Sequence, residues 1–389
     1  MKKPRKLLVI CEPHYVAERK CTRNRSTNNI LIEYSKYFEE VHCLCPGDDN
    51  KMNRPSSINV HFHTLKGYDG NRINKFLFLF KDKSDFLFEV IDQLDIDLVQ
   101  FRVPSLLSMS LFKKFRKLNL PYTVYVAGDI FKCLVGMFPS VPFIKYIALF
   151  LKNKQINLLR NSIAVTAGDV LKSQYETIAS SVHAYYSTTH VDVLRSNNAL
   201  QQRNFNVCYI GRIDRAKRFQ DLIQAANVLK TKIPNLKIHV LGTGDDTIVS
   251  ELKTMISKSD LNTFFIFHGY LSDKIRIDEI LLQCHTLVLP SITEGTPKVL
   301  PESMSRGVVP IAVKNVGSIN HIIKDYHNGL LVSPKSPSEI ATKLEELSLN
   351  KELFIQIQKN ALQYAENTTM QIEIEKLWAF VFASLENKI

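Results

Sequence analysis

Short apolar stretches alternate with helical patterns along the chain, and this alternation stops once and then starts again. In the first series, residues 7–11, 98–102 and 163–166 are strand candidates with helical patterns between them. The polar run 195–204 interrupts the series, and a second series begins with the strand candidate 207–210. Apolar strands separated by helices are typical of parallel, doubly wound sheets. The sequence therefore predicts an α/β protein with two Rossmann-like domains.

The interruption also predicts the domain limits. The chain has 389 residues, which is enough for two domains, because single cores rarely grow beyond about 250 to 300 residues. We predict an N-terminal domain over residues 1–195 and a second domain over residues 205–365. Residues 366–389 are predicted to form a C-terminal helix able to pack back on the N-terminal domain. A long helix is also predicted over residues 73–94.

The net charge of +12 is unevenly distributed. Residues 1–200 carry 28 Lys and Arg against 18 Asp and Glu, while residues 201–389 carry 22 against 20. Residues 101–160 include ten basic residues and one acidic residue, Asp129. Basic charge beside the apolar pattern at 138–152 predicts peripheral contact with an anionic membrane through 101–160. A solvated basic face over a core helix is an equally open alternative. Nucleic acid is not a predicted partner, since no binding motif accompanies the charge.

Cysteine usage and hydropathy bear on the cellular compartment. The seven cysteines are an odd number and are scattered without the paired spacing of a metal or redox motif. Reduced thiols and a cytoplasmic location are therefore expected. No apolar stretch reaches the roughly 20 residues of a transmembrane helix. Membrane contact would then be peripheral, on the inner face of the plasma membrane.

The strongest functional signal is a pair of glutamates in the segment 291–307. Glu294 follows the strand candidate 286–289, so it should emerge at the carboxyl end of that strand, where open α/β sheets bind ligands. Glu302 falls in the helical pattern that follows. Between them, the amides of residues 296–299 lie at a helix start, where unpaired N–H groups and the helix dipole favour an anion. Two carboxylates around an anion site fit a sugar joined to a phosphate.

Three other loops of the second series follow strand candidates in the same way. Gly211 and Arg212 are followed by Lys217, and a guanidinium with an ammonium suits a diphosphate. The next two loops contain Gly-Thr-Gly at 242–244 and His-Gly-Tyr at 268–270. Taken singly, these loops also fit a basic helix start, a tight turn and a structural histidine. Their convergence on one sheet edge is what favours a binding site.

Residues 207–332 resemble the nucleotide-sugar-binding domain of retaining family-four glycosyltransferases, which have the GT-B fold. The matching residues are Gly211, Arg212, Lys217, Gly242, Gly244, the 294–302 segment, Gly307, Gly317 and residues 328–332. The resemblance implies a nucleotide-sugar-dependent enzyme built from two Rossmann-like domains with an inter-domain cleft. It covers about a third of the chain.

The resemblance also implies roles for individual residues. Arg212 and Lys217 would neutralise the leaving diphosphate, Glu294 would face the donor sugar, and Glu302 would accept hydrogen bonds from the ribose. The residues expected to bind the donor are Gly211, Gly242, Gly244, His268, Tyr270, Gly295, Thr296, Pro297, Lys298, Val299 and Glu302. Pro301 departs from the family pattern and predicts that the helix bearing Glu302 starts late or is kinked.

Neither a cofactor nor a metal ion is expected, and the nucleotide sugar would be a co-substrate. The positive charge that stabilises the leaving group would come from Arg212, Lys217 and a helix terminus. The one Asp-x-Asp motif, Asp95 and Asp97, precedes the strand candidate 98–102 and so lies at the wrong end of that strand.

In this family the N-terminal domain binds the acceptor, and signals there are weaker. Members of the family often have a glycine-rich loop after the first strand. Here that loop, 12–27, has no glycine, which argues against a contact between it and the donor phosphate. Glu12 and Arg102 follow strand candidates and are predicted on the acceptor side. Asp129 is predicted to bind an acceptor hydroxyl or act as a base, with a helix cap or local ion pair as the alternative.

The leading hypothesis is a retaining glycosyltransferase acting in cell-surface polysaccharide synthesis. It would move a hexosyl group from a UDP- or GDP-sugar to a glycan or lipid-linked acceptor. Three alternatives stay open: a nucleotide-sugar epimerase of the same fold, a non-catalytic nucleotide-sugar-binding subunit, and a glycoside hydrolase. The hydrolase would use Glu294 and Glu302 as acid and nucleophile.

Overall fold

The structure is a computed structural model that describes residues 4–54, 56, 59–66, 84–138, 141–195 and 198–387. The chain forms two compact units. The N-terminal unit contains Met1–Tyr185 together with Glu373–Ile389, and the C-terminal unit contains Tyr186–Ile372. Most of the helix predicted over 73–94 lies outside the described residues, which resume at Ser84.

The N-terminal unit is built on an eight-stranded sheet in the order β10-β9-β8-β7-β1-β4-β6-β5, beside a small antiparallel β2–β3 pair. All neighbours in the large sheet are parallel except the antiparallel pair β5–β6. The strands are β1 (Lys6–Ile10), β2 (Tyr15–Val16), β3 (Cys21–Thr22), β4 (Glu40–Pro46), β5 (Lys51–Arg54), β6 (His61–Leu65), β7 (Leu98–Val103), β8 (Tyr122–Val126), β9 (Ile163–Ala167) and β10 (Ser181–Tyr185).

Helices connect these strands, and the last helix of the chain packs in the same unit. The helices are α1 (Arg25–Tyr34), α2 (Ser84–Leu94), α3 (Leu106–Phe115), α4 (Ile130–Met137), α5 (Ile144–Leu159) and α6 (Asp169–Tyr175). From the final helix, Trp378 is fully buried, with its ring edge-on to Tyr34 and Phe38 at centroid distances of 4.8 and 4.7 Å. Aromatic packing of this kind holds the final helix in the N-terminal unit.

The C-terminal unit is built on a six-stranded parallel sheet in the order β13-β12-β11-β14-β15-β16. Its strands are β11 (Phe205–Ile210), β12 (Leu236–Leu241), β13 (Phe265–Gly269), β14 (Thr286–Leu289), β15 (Val309–Val313) and β16 (Leu330–Val332). The helices are α7 (Phe219–Leu229), α8 (Asp246–Lys258), α9 (Lys274–Leu281), α10 (Val299–Met304), α11 (Ile319–Ile322), α12 (Pro337–Leu349), α13 (Lys351–Glu366) and α14 (Met370–Glu386), the last continuing into the N-terminal unit.

Both sheets reverse direction at a defined point. The central strands of each sheet are buried on both faces, as parallel strands between helical layers must be. In the N-terminal unit the order reverses between β1 and β7, and in the C-terminal unit it reverses between β11 and β14. The carboxyl ends of strands at such a switch point border the crevice where doubly wound sheets bind ligands. The predicted α/β fold with two Rossmann-like domains is therefore confirmed.

Candidate functional site

The switch point of the C-terminal unit brings together two of the loops that the sequence singled out. The loop after β11 contains Arg212 and Lys217, and the loop after β14 contains Glu294. A backbone hydrogen bond from the Ile292 amide to the Ala216 carbonyl oxygen, 3.0 Å long, joins the two loops. Strand adjacency and this bond hold the basic and acidic side chains at one sheet edge.

Lys217 and Glu294 form an ion pair across these loops. The Lys217 ammonium Nζ lies 2.6 Å from Glu294 Oε1, and the side chains are only 20% and 10% exposed. The Lys217 amide donates to Asp214 Oδ1 at 2.9 Å, which fixes the start of the lysine side chain. A charge-assisted hydrogen bond with limited water access is stronger than a surface ion pair. The site therefore has a preorganised cation and carboxylate in contact.

Arg212 lies on the same loop but reaches solvent. Its side chain is 83% exposed, and its nearest acid is Asp214, with Nη2 and Oδ2 3.5 Å apart. Its backbone carbonyl oxygen accepts a 2.7 Å hydrogen bond from the hydroxyl of Tyr209, whose pKa is raised by burial and by the nearby Asp214 and Glu294 carboxylates. The backbone is thus anchored while the guanidinium is available for an anion, because exposed ion pairs contribute little.

The glycines of the next loop serve the packing of the loops themselves. A Cβ on Gly242 would lie 1.9 Å from the Gly211 carbonyl oxygen, and a Cβ on Gly244 would lie 2.0 Å from that of Ile213. The Ile213 amide also donates to the Thr243 carbonyl oxygen at 2.8 Å. A neighbouring backbone, and not an open ligand space, explains why these two positions lack side chains. This packing fits the tight turn that the sequence analysis left open for Gly-Thr-Gly.

Gly317 likewise allows close approach of neighbouring backbone, here that of the Glu294 loop. It has a φ of 52°, and a Cβ there would lie 2.3 Å from the Gly295 carbonyl oxygen. That oxygen accepts a 2.9 Å hydrogen bond from the Ser318 amide. By contrast, a Cβ on Gly295 itself would meet no atom within 4 Å. Gly295 therefore borders open space beside Glu294.

The residues after Gly295 lead into α10, which begins at Val299. The Thr296 hydroxyl is buried and has no hydrogen-bond partner among the described residues. Pro297 is buried, while Lys298 and Val299 are partly exposed. An unpaired buried hydroxyl is costly, so a ligand or water beside Thr296 would stabilise the site. Thr296 is the residue of this segment whose chemistry points most directly to a ligand.

Glu302 lies in the first turn of α10 and is partly buried. Its carboxylate accepts a short hydrogen bond from the Thr189 hydroxyl. Burial raises the pKa of Glu302, although the Thr189 hydrogen bond and the ammonium groups of Lys298 and Lys274 oppose the rise. The helix begins at Val299, upstream of Pro301. The expected late start does not occur, because a proline in the first turn gives up an amide that would have no helical partner.

Arg306 was missed by the sequence analysis, yet it holds this corner of the unit together. Its side chain is 1% exposed, and its guanidinium bonds both carboxylate oxygens of Asp278 at 2.9 and 3.0 Å. It also contacts the Asp192 carboxylate and carbonyl oxygen, each at 2.9 Å. The segment leading to Thr189 is thereby connected to the end of α10. A single arginine after a helix carries no sequence signal for such a role.

The C-terminal unit contains two stacked pairs of aromatic rings, and the first is formed by two histidines. His268 stacks on His239 with ring centroids 5.3 Å apart, and their facing nitrogens are 3.0 Å apart. The pKa of His239 is lowered to about 4, first by burial and then by His268; burial and Arg276 lower the pKa of His268. Tyr270 is 76% exposed. His268 therefore has a neutral structural partner, while Tyr270 is accessible.

A second stack lies at the start of the C-terminal unit. The rings of Tyr186 and His321 are nearly parallel, with centroids 3.8 Å apart. Tyr186 precedes Thr189 on the same segment, so this stack and the Arg306 contacts both hold that segment in position. The sequence analysis did not single out Tyr186 or Thr189 as site residues. They lie in residues 186–195, which form neither a helix nor a strand.

In the N-terminal unit, Glu12 and Arg102 lie at the switch point between β1 and β7. Glu12 Oε1 accepts a 2.9 Å hydrogen bond from the Leu106 amide. The partly buried Arg102 guanidinium lies over the Tyr125 ring, 4.7 Å from its centroid. Within the described parts of the chain, Arg102 has no ion pair with a carboxylate. A partly buried guanidinium of this kind suits an anionic ligand.

Asp129 caps a helix. Its Oδ1 accepts hydrogen bonds from the Phe131 and Lys132 amides at 2.8 and 3.2 Å. Its Oδ2 contacts Lys152 Nζ at 3.3 Å and Gln174 Nε2 at 2.5 Å. Burial favours the protonated form, but these contacts, the one from Gln174 first, together lower the pKa of Asp129. The geometry fits the helix-cap alternative and disfavours the predicted base, since its lone pairs are already engaged.

The Asp-x-Asp motif has a structural environment. Asp97 Oδ2 accepts 2.8 Å hydrogen bonds from the amides of Arg5 and Lys6, at the start of β1. Across the described residues, no group of three or more His, Cys, Asp or Glu side chains is arranged to hold a metal ion.

Comparison with known proteins identifies the family that the C-terminal unit resembles. Residues 191–364 match the family described as glycosyl transferases group 1. EpsD of Bacillus subtilis strain 168, which is named as a glycosyltransferase, is 29% identical over 182 residues, covering 46% of each chain. CapJ of Staphylococcus aureus is 25% identical over 337 residues, covering 84% of this chain and 81% of CapJ. The similarity to EpsD thus spans about half of that relative.

The fold extends over both units. The crystal structure of Anabaena HepE in complex with UDP superposes with a TM-score of 0.70 at 15% sequence identity, covering 97% of this chain and 100% of HepE. At that identity the similarity shows the fold, which is that of GT-B glycosyltransferases. Residues 191–364 are a glycosyl transferases group 1 domain. The resemblance inferred from the Gly211, Glu294 and Glu302 motifs is therefore confirmed.

Proposed function

We propose that the protein is a retaining glycosyltransferase that moves a hexosyl group from a nucleotide diphosphate donor to a glycan or lipid-linked acceptor. The observation that carries this proposal is the 2.6 Å contact of Lys217 and Glu294 at the switch point of the C-terminal unit. A cation and a carboxylate held there suit the two halves of a nucleotide sugar. The ammonium would meet the diphosphate, and the carboxylate would meet the sugar hydroxyls.

The remaining parts of the site support the same division. Arg212 is exposed and anchored by its backbone, so its guanidinium can reach a diphosphate oxygen. The unpaired Thr296 hydroxyl could donate to a phosphate or sugar oxygen beside Gly295. Glu302 holds the hydroxyl of Thr189, and ribose hydroxyls are acceptable substitutes for it. We also propose that the other predicted donor-binding residues, including His268 and Tyr270, contact the donor. This proposal rests only on their positions in the chain and the fold.

Retention would follow from attack on the face from which the diphosphate leaves. Such a reaction depends on stabilising the leaving group, and a strong protein nucleophile is unnecessary. Lys217 and Arg212 would supply that stabilisation, and we propose that the transfer proceeds without a metal ion. Transfer rates measured with and without EDTA test this, since a metal-dependent enzyme would lose activity on chelation.

We assign acceptor binding to the N-terminal unit. Arg102 lies at the switch point there and has no carboxylate partner among the described residues, so it suits an acceptor bearing a phosphate or an acidic group. A lipid-linked glycan diphosphate has that chemistry. Synthesis of a cell-surface polysaccharide at the cytoplasmic face of the membrane is the setting we propose.

The test is a screen of donors followed by transfer assays. Thermal shifts measured with UDP, GDP and their sugars should identify one nucleotide class, because a ligand of the native state raises the melting temperature. Transfer of the preferred sugar to lipid-linked acceptors should then be lost in Arg212→Met. Arg195→Met is the matched control, since Arg195 is similarly exposed and pairs with Glu366 in the same unit.

Each alternative function has its own outcome in this experiment. Conversion of the donor without an acceptor would indicate an epimerase. Nucleotide binding without any transfer would indicate a binding subunit. Cleavage of simple glycosides without nucleotide would indicate a hydrolase, which the Lys217 and Thr189 contacts of the two glutamates do not favour.

A further inference from the structure

The first half of α5 (Ile144–Leu159) exposes apolar side chains that a helix in water normally buries. Phe143 is 75% exposed, Tyr146 is 73% exposed and Leu149 is 51% exposed. We call the six exposed residues of this region the apolar tip, and they are Val141, Phe143, Tyr146, Ile147, Leu149 and Phe150.

The apolar tip is not part of the core of the unit. The buried residues of α5 form one stripe at helical spacing: Ala148, Leu151, Gln155, Leu158 and Leu159. Leu151 packs with Met109 and Ile130, which attaches this stripe to the rest of the unit. A helix attached along one stripe should be polar on its other faces. The first turns of α5 are apolar there instead.

Helices α4 and α5 pack against each other as a hairpin, and the tip lies near its turn. Lys152 Nζ lies 5.8 Å from the centroid of the Phe131 ring, so the start of α4 meets the second half of α5. Residues 141–147 are therefore on the side of the turn, away from that contact. In this position the tip can enter an apolar environment while α4 and α5 stay packed on the unit.

The charged residues of the segment 101–160, which contains the tip, are basic except for Asp129. Lys132 and Lys145 are exposed on α4 and α5, and Lys154 lies over the Phe150 ring at 5.4 Å. The only acid of the segment 101–160 is Asp129, and it is already bonded to Lys152 and to helix amides. The partner of this surface should therefore be apolar in its interior and negatively charged at its surface.

We propose that the apolar tip inserts into the interfacial layer of a bilayer containing anionic lipids. Aromatic and aliphatic side chains would enter the headgroup boundary, and the lysines would meet lipid phosphates. In the described segments no helix is both long and apolar enough to cross a bilayer. The inference rests on the proposed function, in which the acceptor side of the protein works at a membrane. Vesicle binding is measured without donor or acceptor, so the two proposals can be tested separately.

The test uses the full chain and two kinds of vesicle, pure phosphatidylcholine and an equal mixture with phosphatidylglycerol. The protein should co-sediment with the mixed vesicles and be released at high salt. Phe143→Ser/Tyr146→Ser/Leu149→Ser should weaken binding at least about tenfold. Lys145→Gln should weaken it about fivefold, because one basic group near the surface is lost.

The matched control is Val228→Ser/Ile275→Ser/Leu349→Ser, which removes three exposed apolar residues of the C-terminal unit. It should bind like the wild type. Equal binding by both triple variants, or equal binding to both vesicle types, would overturn the proposal. A wild-type oligomer that the tip substitutions convert to a monomer, without vesicle binding by either, would also overturn it in favour of self-association.

Insertion itself has a direct optical readout. The chain has one tryptophan, Trp378, which is buried in the N-terminal unit and gives a constant background. Phe143→Trp should show a blue shift with mixed vesicles and quenching by brominated lipid chains. Tryptophan emission unchanged by vesicles that nevertheless sediment the protein would show that the tip stays in water, against the proposal.

Discussion

Lys217 Nζ and Glu294 Oε1 are 2.6 Å apart, although 77 residues separate them in the chain. The contact joins the loops after β11 and β14, which are neighbours at the point where the strand order reverses. Each partner limits the other, because an anion that approaches Lys217 must share it with the Glu294 carboxylate. In the proposed reaction the pair would therefore couple the binding of the leaving group to the position of the carboxylate.

Glu294→Gln separates these two effects. Removing the carboxylate charge should lower the transfer rate about 100-fold or more, because the developing positive charge on the sugar loses its nearest anion. Affinity for the free nucleotide diphosphate should stay equal or increase, since Lys217 no longer shares its charge. Transfer kinetics and calorimetry with the nucleotide measure the two quantities.

Lys217→Met is the complementary variant and should show the opposite pattern for binding, with weaker affinity for the diphosphate. A double variant reveals the coupling between the two residues. Parallel losses of nucleotide affinity in Glu294→Gln and Lys217→Met would contradict this division of roles.

Glu302→Gln should make the protein more stable and the nucleotide site weaker. Burial raises the pKa of Glu302, so between its unfolded and folded pKa values the folded protein holds more protons. The free energy of unfolding therefore falls as pH rises through that window. At pH 7 the neutral variant should therefore be more stable than the wild type.

Denaturant unfolding at several pH values checks this prediction. The difference between Glu302→Gln and the wild type should shrink at low pH, where the wild-type carboxyl is protonated in both states. Affinity for nucleosides should fall in the variant at pH 7, because a carboxamide accepts ribose hydroxyls less strongly than a carboxylate. A stability difference independent of pH would argue against a buried charge at Glu302.

Gly244→Ala and Gly295→Ala should differ in kind. The first places a Cβ 2.0 Å from the Ile213 carbonyl oxygen and should lower the free energy of unfolding by about 3 kcal/mol. The second meets no atom within 4 Å and should leave the melting temperature nearly unchanged. Its effect should be on donor affinity, because the added methyl group faces open space beside Glu294. Normal donor binding by Gly295→Ala would place the donor elsewhere.

Arg306→Met tests the buried link between Asp278 and Asp192. Leaving the Asp278 carboxylate without its bidentate partner should cost about 3 to 5 kcal/mol of stability, measured by denaturant unfolding. Arg306→Lys should recover only part of this loss, because an ammonium cannot reproduce the planar fork. Full recovery by lysine would mean that charge alone, and not geometry, matters here.

Asp129→Asn distinguishes a helix cap from a base. Asparagine is also a good N-cap, so stability should fall by about 1 kcal/mol or less and transfer activity should remain. A general base at this position would instead cost about 100-fold or more in rate. Transfer kinetics across pH therefore decide between the two roles.

Much of this architecture follows from local patterns. Runs such as those of β11 and β14 are mainly apolar, and parallel strands buried on both faces favour that composition. The positions of Glu294 and Arg212 just beyond such strands predicted a shared sheet edge before any coordinates. Turn residues and strand ends are local features, and a linear sequence records them.

What the sequence by itself determined was therefore the class of fold with its doubly wound parallel sheets, and the strand-end loops predicted to form the site. Only the tertiary structure decided which side chains meet: Lys217 with Glu294, Thr189 with Glu302, and Arg306 with two aspartates. It also showed that Gly242 and Gly244 make room for neighbouring backbone and that Asp129 is a cap. These contacts join residues far apart in the chain, and their partners depend on packing that no local pattern encodes.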